Sequence, residues 1–291
     1  MPELPEVETV RAYLAPRLQD ARIDALTLRR PDLRWPMPTA ALSHVRGARF
    51  GAVRRRGKYL VLELAERADD APAALLVHLG MSGRLFFDDA DGAADAPYLR
   101  HEHWRMSLQT PAGPAALRYE DARRFGVLDV LPTLDGGHRL LDGLGIEPLQ
   151  DGFDGAWIHT QSRGLRTSVK VFLMDARRLV GVGNIYASEA CWRAEVNPLG
   201  AAGKLSRAAC DRLAEGVRSV LGDAIADGGT SLRDFVRGDR NPGYFQQRLD
   251  VYDRAGEPCR RCGPDVPIER REQQGRSTYR CPRCQRRPAA G

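Results

Sequence analysis

The residues best suited to chemistry open the chain, in the run Met1-Pro2-Glu3 that precedes a helical pattern. Removal of Met1 leaves Pro2 with a free secondary amine, whose reference pKa of about 7.7–8.0 is lowered further by the positive end of the following helix. A neutral amine of this kind attacks an aldehyde-level carbon to form an iminium ion, and Glu3 beside it is suited to proton transfer. The structural alternative is that Pro and Glu are simply favoured in the first turn of a helix.

Four of the six cysteines are clustered near the end of the chain as two CxxC pairs, Cys259 with Cys262 and Cys281 with Cys284. The 18 residues between the pairs give the spacing of a zinc ribbon, in which four thiolates surround one Zn²⁺. A disulfide framework is the alternative, but it is unusual in an intracellular chain of this length. The pattern favours one structural zinc ion per chain that takes no part in the chemistry.

The charge balance favours a polyanionic partner. The 291 residues carry a net charge of +6, mostly through arginine, whose planar fork matches phosphate geometry. Residues 254–287 alone contain ten arginines and four acids, and Gly275-Arg276 is predicted at the tip of a hairpin that probes a phosphate. A solvated surface is the alternative. Neither a membrane-spanning apolar run nor a signal-peptide pattern is present, so we expect a soluble, intracellular protein.

Hydrophobic periodicity predicts a helix over 6–18 followed by a succession of strands. The strands are predicted at 25–29, 53–64, 74–87, 104–110 and 116–131. Strands that follow one another without intervening helices favour an antiparallel sandwich or barrel. The alternating residues and the turn signals thus predict a β-rich first half.

The composition changes after residue 131, and helical patterns follow. Helices are predicted at 153–162, 167–175, 185–194 and from 206 to the glycines at 228–229. The fold class is therefore α+β. Its predicted parts are a β-rich domain at 1–131, a hinge at 132–148, a helical domain at 149–248 and a zinc-ribbon module at 249–291.

Several short stretches carry side chains that suit DNA binding. Met81 and Phe125 lie in turn-like runs, where bulky apolar residues are suited to wedging between stacked bases. Asn184 follows glycines at a helix start, which exposes backbone N–H groups to an anion. Lys58 follows three arginines just before a strand. Each run alone also fits an ordinary core position, helix start or solvated edge.

Taken together, six motifs in order resemble the bacterial formamidopyrimidine-DNA glycosylases, which repair oxidised purines. The motifs are PELPEVE at 2–8, HLGMSG at 78–83, DARRFG at 121–126, GVGNIYASE at 181–189, GGTSLRDF at 228–235 and the four cysteines. The resemblance spans nearly the whole chain. It implies an N-terminal β-sandwich, a helical helix–two-turn–helix region and a zinc-ribbon hairpin, with double-stranded DNA held between the domains.

The resemblance also implies a mechanism. The damaged nucleotide is flipped out of the duplex, because its glycosidic carbon is not accessible inside the stack. Pro2 attacks C1′ and expels the oxidised base, and Glu3 acts as general acid and base. The iminium then acidifies the C2′ proton, so that β- and δ-elimination cut the strand on both sides of the lost base.

Further roles come from the resemblance residue by residue. Lys58 and Arg276 match a lysine and an arginine that contact the lesion's phosphates and assist the chemistry. Asn184 matches a phosphate-binding asparagine. The void left by flipping is filled by the residues that match Met81, Arg123 and Phe125, with the arginine facing the orphaned cytosine.

Other DNA contacts follow less directly from the resemblance. Arg124 is similar to a further DNA-contacting arginine, and the segment 228–248 to the loop that covers the flipped base. His101 resembles a DNA-contacting histidine, although His103 is the alternative. One phosphate contact falls to Arg166 or Lys170, with Arg163 as the third candidate.

Two rival functions remain open. An endonuclease VIII-like enzyme shares the fold and the proline chemistry but prefers oxidised pyrimidines. Leu4, where that branch has Gly, and the complete Met81, Arg123 and Phe125 set favour the purine enzyme. A non-catalytic zinc-ribbon DNA-binding homologue is the other rival. We expect a monomer that acts on DNA with oxidised bases or abasic sites in the bacterial cytoplasm, associated with the nucleoid.

Overall fold

The computed structural model describes residues 2–89, 92–93, 95–230 and 244–286. These form two compact units, one from residues 2–142 with 227–230 and 244, the other from 143–226 and 245–286. The predicted loss of Met1 and most of the predicted lesion-covering segment 228–248 lie outside the described residues.

The first unit contains two helices and two antiparallel four-stranded sheets. The helices are α1 (Leu4–Leu18) and α2 (Thr39–Ser43), and the strands are β1 (Arg22–Leu28), β2 (Phe50–Arg56), β3 (Tyr59–Leu64), β4 (Ala74–His78), β5 (Gly83–Asp88), β6 (Glu102–Thr110), β7 (Gly113–Asp121) and β8 (Val127–Leu131). The strand orders are β1-β6-β7-β5 and β2-β3-β4-β8. The predicted antiparallel arrangement and the α+β class are confirmed.

One hydrophobic core joins α1 to both sheets. It contains Val10 and Leu14 of α1 together with inward residues such as Leu62 of β3 and Trp104 of β6. The opposite face of β3 is covered too, because Val61 packs in a second cluster with residues of β4 and β8. Burial on both faces explains why β3 is more continuously apolar than a half-exposed strand.

Three of the predicted strands are in fact pairs of strands joined by tight turns. The ranges 53–64, 74–87 and 116–131 are divided into β2 and β3, β4 and β5, and β7 and β8. Only the β4–β5 turn continues the apolar pattern, through Leu79 and Met81. Gly57 with φ +57° and Gly80 with φ +64° allow the chain to reverse. The three turns carry Lys58, Met81 and the Arg123–Phe125 run.

The second unit is helical and ends in a small β module. Its helices are α3 (Gly155–Ser162), α4 (Val169–Leu173), α5 (Asn184–Arg193) and α6 (Arg207–Ala226), with 3₁₀ turns at Ala202–Lys204 and Phe245–Arg248. The strands are β9 (Pro258–Cys259), β10 (Gly263–Pro267), β11 (Glu269–Gln273) and β12 (Arg276–Arg280). Within the described ranges, no helix is long and apolar enough to cross a bilayer.

The boundary between the units falls between residues 142 and 143, inside the predicted hinge. Residues 227–230 belong to the first unit, whereas the sequence grouped them with the helical domain. One hydrogen bond connects residues 227–230 to α1, because the Thr230 backbone N–H donates to the Glu6 carboxylate at 2.8 Å. The cysteine module belongs to the same unit as the helices.

Candidate active site and nucleic-acid contacts

The N-terminal residues are buried at the start of α1. Pro2 is buried, and Glu3 is 2% exposed in an extended conformation just before the helix. The Glu6 carboxylate, 1% exposed, accepts the Glu3 N–H at 2.7 Å through one oxygen and the Thr230 N–H through the other. Glu6 therefore fixes the backbone beside Pro2, a role that the sequence analysis missed.

Lys58 lies in the two-residue turn between β2 and β3. Arg55 connects this turn to α1, because its guanidinium donates to the Gly57 carbonyl at 3.0 Å and to the Glu8 carboxylate at 2.9 Å. The helix that begins beside Glu3 is thus hydrogen-bonded to the hairpin that carries Lys58. All of these residues lie in the first unit.

The β4–β5 and β7–β8 turns carry the three residues expected to fill the space of a flipped base. Met81 is half-buried, whereas Arg123 and Phe125 are exposed. The Arg123 guanidinium lies 4.9 Å from the centre of the Phe125 ring. Arg124 has φ +57° and is exposed, and its side chain has no hydrogen-bond or ion-pair partner among the described residues. The structure brings these side chains to one place.

The two candidate histidines, His101 just before β6 and His103 within it, differ in environment. His101 is half-buried and gives only its backbone carbonyl to the Asp121 N–H at 3.0 Å. His103 is 9% exposed, and its Nε2 lies 2.7 Å from the Asp121 carbonyl oxygen. His101 is the more accessible of the two.

A buried ion cluster holds the backbone that leads to His101. Glu102 is 1% exposed and lies between Arg105 and Arg118, at 2.7 Å from each. The arginines also donate to the Ala96 and Pro97 carbonyls. Burial raises the pKa of Glu102, but the hydrogen bonds from both guanidiniums outweigh it and the net pKa is lowered.

In the second unit, Asn184 begins α5 after Gly183, as the sequence predicted. Its Nδ2 lies 3.4 Å from the Tyr252 hydroxyl. Glu189 on the same helix is fully buried, and its carboxylate accepts the backbone N–H groups of residues 250–252 at 2.8 to 2.9 Å. Burial raises the pKa of Glu189 despite these bonds. The sequence analysis assigned no role to Tyr252 or to the Glu189 side chain, whose hydrogen bonds support the start of α5 and the chain at 250–252.

The three candidate cations near α4 are placed differently. Arg163 donates to the Leu205 carbonyl at 2.7 Å and to the His159 carbonyl at 3.1 Å. Lys170 is 1% exposed, and its Nζ donates to the Ser277 carbonyl at 2.6 Å and to the Thr278 hydroxyl at 2.9 Å. Arg166 is exposed and has no such partner within the described chain.

The four predicted cysteine ligands converge. All four Sγ atoms lie within 4.8 Å of one another, with Cys259 and Cys284 at 4.0 Å and Cys262 and Cys281 at 3.7 Å. Tetrahedral Zn–S bonds of about 2.3 Å place sulfurs about 3.8 Å apart, so the set fits Zn²⁺. The same separations are far too long for a disulfide bond. The zinc prediction is confirmed over the disulfide alternative.

Arg276 lies between the two cysteine pairs, at the start of β12, and is paired with Gln273 across the β11–β12 hairpin. The tip is therefore Gln274-Gly275, one residue earlier than predicted. The Arg276 side chain is exposed, and it borders a cavity of about 530 Å³ between the hairpin and α4. Arg177 and Arg178 line the same cavity, which makes it cationic.

A β-sandwich that carries a buried proline at position 2, together with a helical unit and a hairpin whose four cysteines suit a metal ion, defines a zinc-containing nucleic-acid-processing protein. The family model of the formamidopyrimidine-DNA glycosylase N-terminal domain matches residues 1–128, and that of the H2TH domain of the same enzymes matches residues 144–236. The chain belongs to the formamidopyrimidine-DNA glycosylase family and is a DNA glycosylase.

Named relatives support this assignment over the full length. The formamidopyrimidine-DNA glycosylases of Alkalilimnicola ehrlichii and Thiobacillus denitrificans are 48% and 47% identical, and each alignment covers 98% of this chain and 100% of the relative. A Lactococcus lactis enzyme bound to Fapy-dG DNA has a TM-score of 0.85 at 29% identity, with 98% and 100% of the two chains covered. A MutM structure with carbocyclic 8-oxo-G DNA matches at 0.85 and 30%, over the same shares.

Proposed function

We propose that the chain excises oxidised purines, such as 8-oxoguanine and formamidopyrimidines, from double-stranded DNA in base-excision repair and then cleaves the abasic site as an AP lyase. Related enzymes have been crystallised with Fapy-dG, 8-oxo-G and abasic-site DNA, which supports this substrate class. The observation that carries the proposal is the Glu6 contact that fixes the backbone beside Pro2 and Glu3. Such a fixed terminus is what a nucleophile needs for correct orientation.

The proposed chemistry begins at the Pro2 nitrogen. Its lone pair forms a bond to C1′ of the flipped nucleotide, the C1′–N9 bond breaks, and the base leaves with a proton. Glu3 supplies and removes protons at the opening sugar. Opening of the C1′–O4′ bond leaves an iminium between Pro2 and C1′. Loss of a C2′ proton to this electron sink breaks the C3′–O bond, and loss of the C4′ proton then breaks the C5′–O bond. Water hydrolyses the remaining iminium, which releases the unsaturated five-carbon fragment and restores the Pro2 amine. The products are a one-nucleotide gap and two phosphate ends.

Each remaining site residue is proposed to act on the DNA. Phosphates of the lesion strand are contacted by Lys58, Arg276, Asn184, Arg166 and His101, and Arg124 adds a further contact. Met81, Arg123 and Phe125 fill the space left by the flipped nucleotide. The Lys170 amine is hydrogen-bonded to Ser277 and Thr278 of β12. We therefore propose that Lys170 supports the strand that carries Arg276 and does not itself contact a phosphate.

The domain boundaries stay part of the proposal. The catalytic β-sandwich is assigned to 1–131, the hinge to 132–148, the helix–two-turn–helix domain to 149–248 and the zinc module to 249–291. We further propose that the protein acts as a monomer in the bacterial cytoplasm, on DNA of the nucleoid.

Borohydride trapping tests the nucleophile and the substrate together. A duplex with one 8-oxoguanine opposite cytosine is expected to form a covalent adduct that mass spectrometry locates on Pro2, which also requires removal of Met1. Without borohydride, the same duplex gives a β,δ-eliminated nick. Pro2→Gly is expected to slow base excision by orders of magnitude, because the secondary amine is lost. Pro36→Gly, at an exposed proline of the same unit, serves as the control.

The other outcomes separate the rival functions. Trapping only on an oxidised-pyrimidine duplex would overturn the purine preference and keep the mechanism. This arm is needed, because one similar Lactococcus lactis structure contains oxidised-pyrimidine DNA. Binding of both duplexes without any trapping would identify a non-catalytic DNA-binding homologue.

A further inference from the structure

The β4–β5 and β7–β8 turns are fastened to each other by one buried carboxylate. Asp121, the last residue of β7, is 0% exposed. Its Oδ1 accepts the Ser82 hydroxyl at 2.6 Å and the Arg123 N–H at 3.2 Å. Its Oδ2 accepts the Gly126 N–H at 2.8 Å and the Tyr119 hydroxyl at 3.3 Å. Asp121 therefore holds both sides of the Arg123–Phe125 run and, through Ser82, the neighbour of Met81.

The Ser82 hydroxyl completes this connection. It donates to Asp121, and its oxygen also accepts the Arg123 N–H at 3.1 Å. The Arg123 backbone is thus shared between the two turns. Hydrogen bonds to a carboxylate are stronger than those between neutral groups, and a buried carboxylate that loses a partner is costly.

The backbones of the two turns are in close contact as well. A Cβ atom on Gly80, at φ +64°, would overlap the Phe125 backbone, and one on Gly126 would overlap the Tyr119 hydroxyl. Neither turn has room to shift toward the other, so a change in the Asp121 contacts is transmitted to the side chains that the turns carry.

We propose that Asp121 is a positioning residue that sets the selectivity for the base opposite the lesion. The inference rests on the proposed function, in which Arg123 faces the orphaned base while Met81 and Phe125 fill the vacated stack. Asp121 lies beneath the exposed side chains and acts only through them. It fixes the Arg123 backbone relative to Met81, and selectivity follows because an arginine discriminates bases only from a defined position.

Asp121→Asn is the sharpest test, since it changes no volume. The amide nitrogen replaces one acceptor oxygen and faces donors that it cannot satisfy, either Ser82 and Arg123 or Gly126 and Tyr119. The expected result is a loss of about tenfold in the ratio of kcat/KM for 8-oxoguanine opposite cytosine to that opposite adenine. Ser82→Ala removes the bond to Asp121 and the Arg123 N–H bond to the hydroxyl, but the Arg123 N–H keeps its bond to Asp121, so the same ratio is expected to fall by a smaller factor.

Controls separate positioning from general damage. Asp129→Asn, the same substitution at a carboxylate that pairs with the exposed Arg139 in the same unit, is expected to leave the ratio unchanged. A second control is the cleavage of an abasic site opposite cytosine, which needs no damaged base. In Asp121→Asn, the rate of this cleavage is expected to fall by a smaller factor than the cytosine-to-adenine ratio of kcat/KM. If the Asp121 variant does not fold, the milder Ser82→Ala variant decides the question.

The possible failures are distinguishable. A wild-type protein that excises no 8-oxoguanine would overturn the proposed function itself. A wild type that excises and discriminates, with the same ratio in folded Asp121→Asn or in Ser82→Ala, would overturn the positioning role. Equal losses opposite cytosine and adenine would also contradict it, because they indicate a merely structural residue.

Discussion

At the scale of single residues, burial determines the charge state of the His78 imidazole, which lies near Lys58. Its Nδ1 accepts the Gly80 N–H at 2.9 Å, and its ring lies 4.7 Å from that of Tyr59. Burial lowers the pKa of His78 to about 4, with added contributions from Lys58 and Arg34, against the opposing charge of Asp121. The imidazole is therefore neutral near pH 7, which leaves Nδ1 free to accept the Gly80 bond.

This lowered pKa predicts a pH dependence of stability. Because the folded-state pKa of His78 lies below the unfolded value of about 6.5, the unfolded chain takes up the proton first as the pH falls. The stabilisation is present above pH 6.5 and is lost as the pH falls to about 4. His78→Asn keeps an acceptor near the Nδ1 position but has no ring to protonate. Its free energy of unfolding is therefore expected to fall less than that of the wild type as the pH is lowered over this range.

Urea unfolding at pH 7 and pH 5 measures the effect. The difference between the two free energies of unfolding is compared for wild type and His78→Asn, so that other groups titrating in this range cancel. An equal pH dependence in both proteins would show that the imidazole is not held neutral by its surroundings.

At the scale of elements, the sequence predicted those features that depend on local pattern. The start of α5 at Asn184, the end of α6 before Gly228 and the hairpin before Arg276 follow from caps, glycines and cysteine spacing. The organising carboxylates were not predicted. Glu6, Asp121 and Glu189 accept backbone N–H groups, which every residue possesses, so no partner residue type marks the pairing in the sequence.

The contact between α4 and β12 gives a prediction for Lys170. Its buried Nζ holds the Ser277 carbonyl and the Thr278 hydroxyl, directly after Arg276. Lys170→Met retains the apolar stem but removes both bonds, at a cost of about 1–3 kcal/mol. If Arg276 promotes δ-elimination, the ratio of δ- to β-elimination products is expected to fall several-fold, with base excision less affected.

Quantification of the cleaved strands by gel electrophoresis checks this ratio, and the zinc content confirms that the module is intact. Lys204→Met, at an exposed lysine of the same unit, makes the same chemical change as a control. An unaltered product ratio in a zinc-loaded Lys170→Met protein would mean that the amine does not position Arg276.

At the scale of the whole molecule, the metal site and the helical unit share one core. The cluster around the zinc ligands contains Cys259, Cys281 and Tyr279 together with Trp192 of α5. Glu189 of the same helix holds the backbone at 250–252, just before the module. A module of this size buries too little apolar surface to fold alone, so its stability depends on the metal and on α5.

Removal of one ligand is therefore expected to unfold the module and abolish tight DNA binding. In Cys281→Ser, three thiolates remain for a four-coordinate ion, and an apparent metal-binding free energy of about 10–16 kcal/mol is largely lost. The first unit has a core of its own and is expected to stay folded. Zinc content is measured by metal analysis, folding by circular dichroism and DNA binding by fluorescence anisotropy with a lesion duplex.

The control is Cys210→Ser, at a buried cysteine of α6 outside the cluster, which is expected to keep both its zinc and its DNA binding. A Cys281→Ser protein that turns over normally and binds DNA tightly without zinc would refute a structural metal, since nothing else in the described module closes its core.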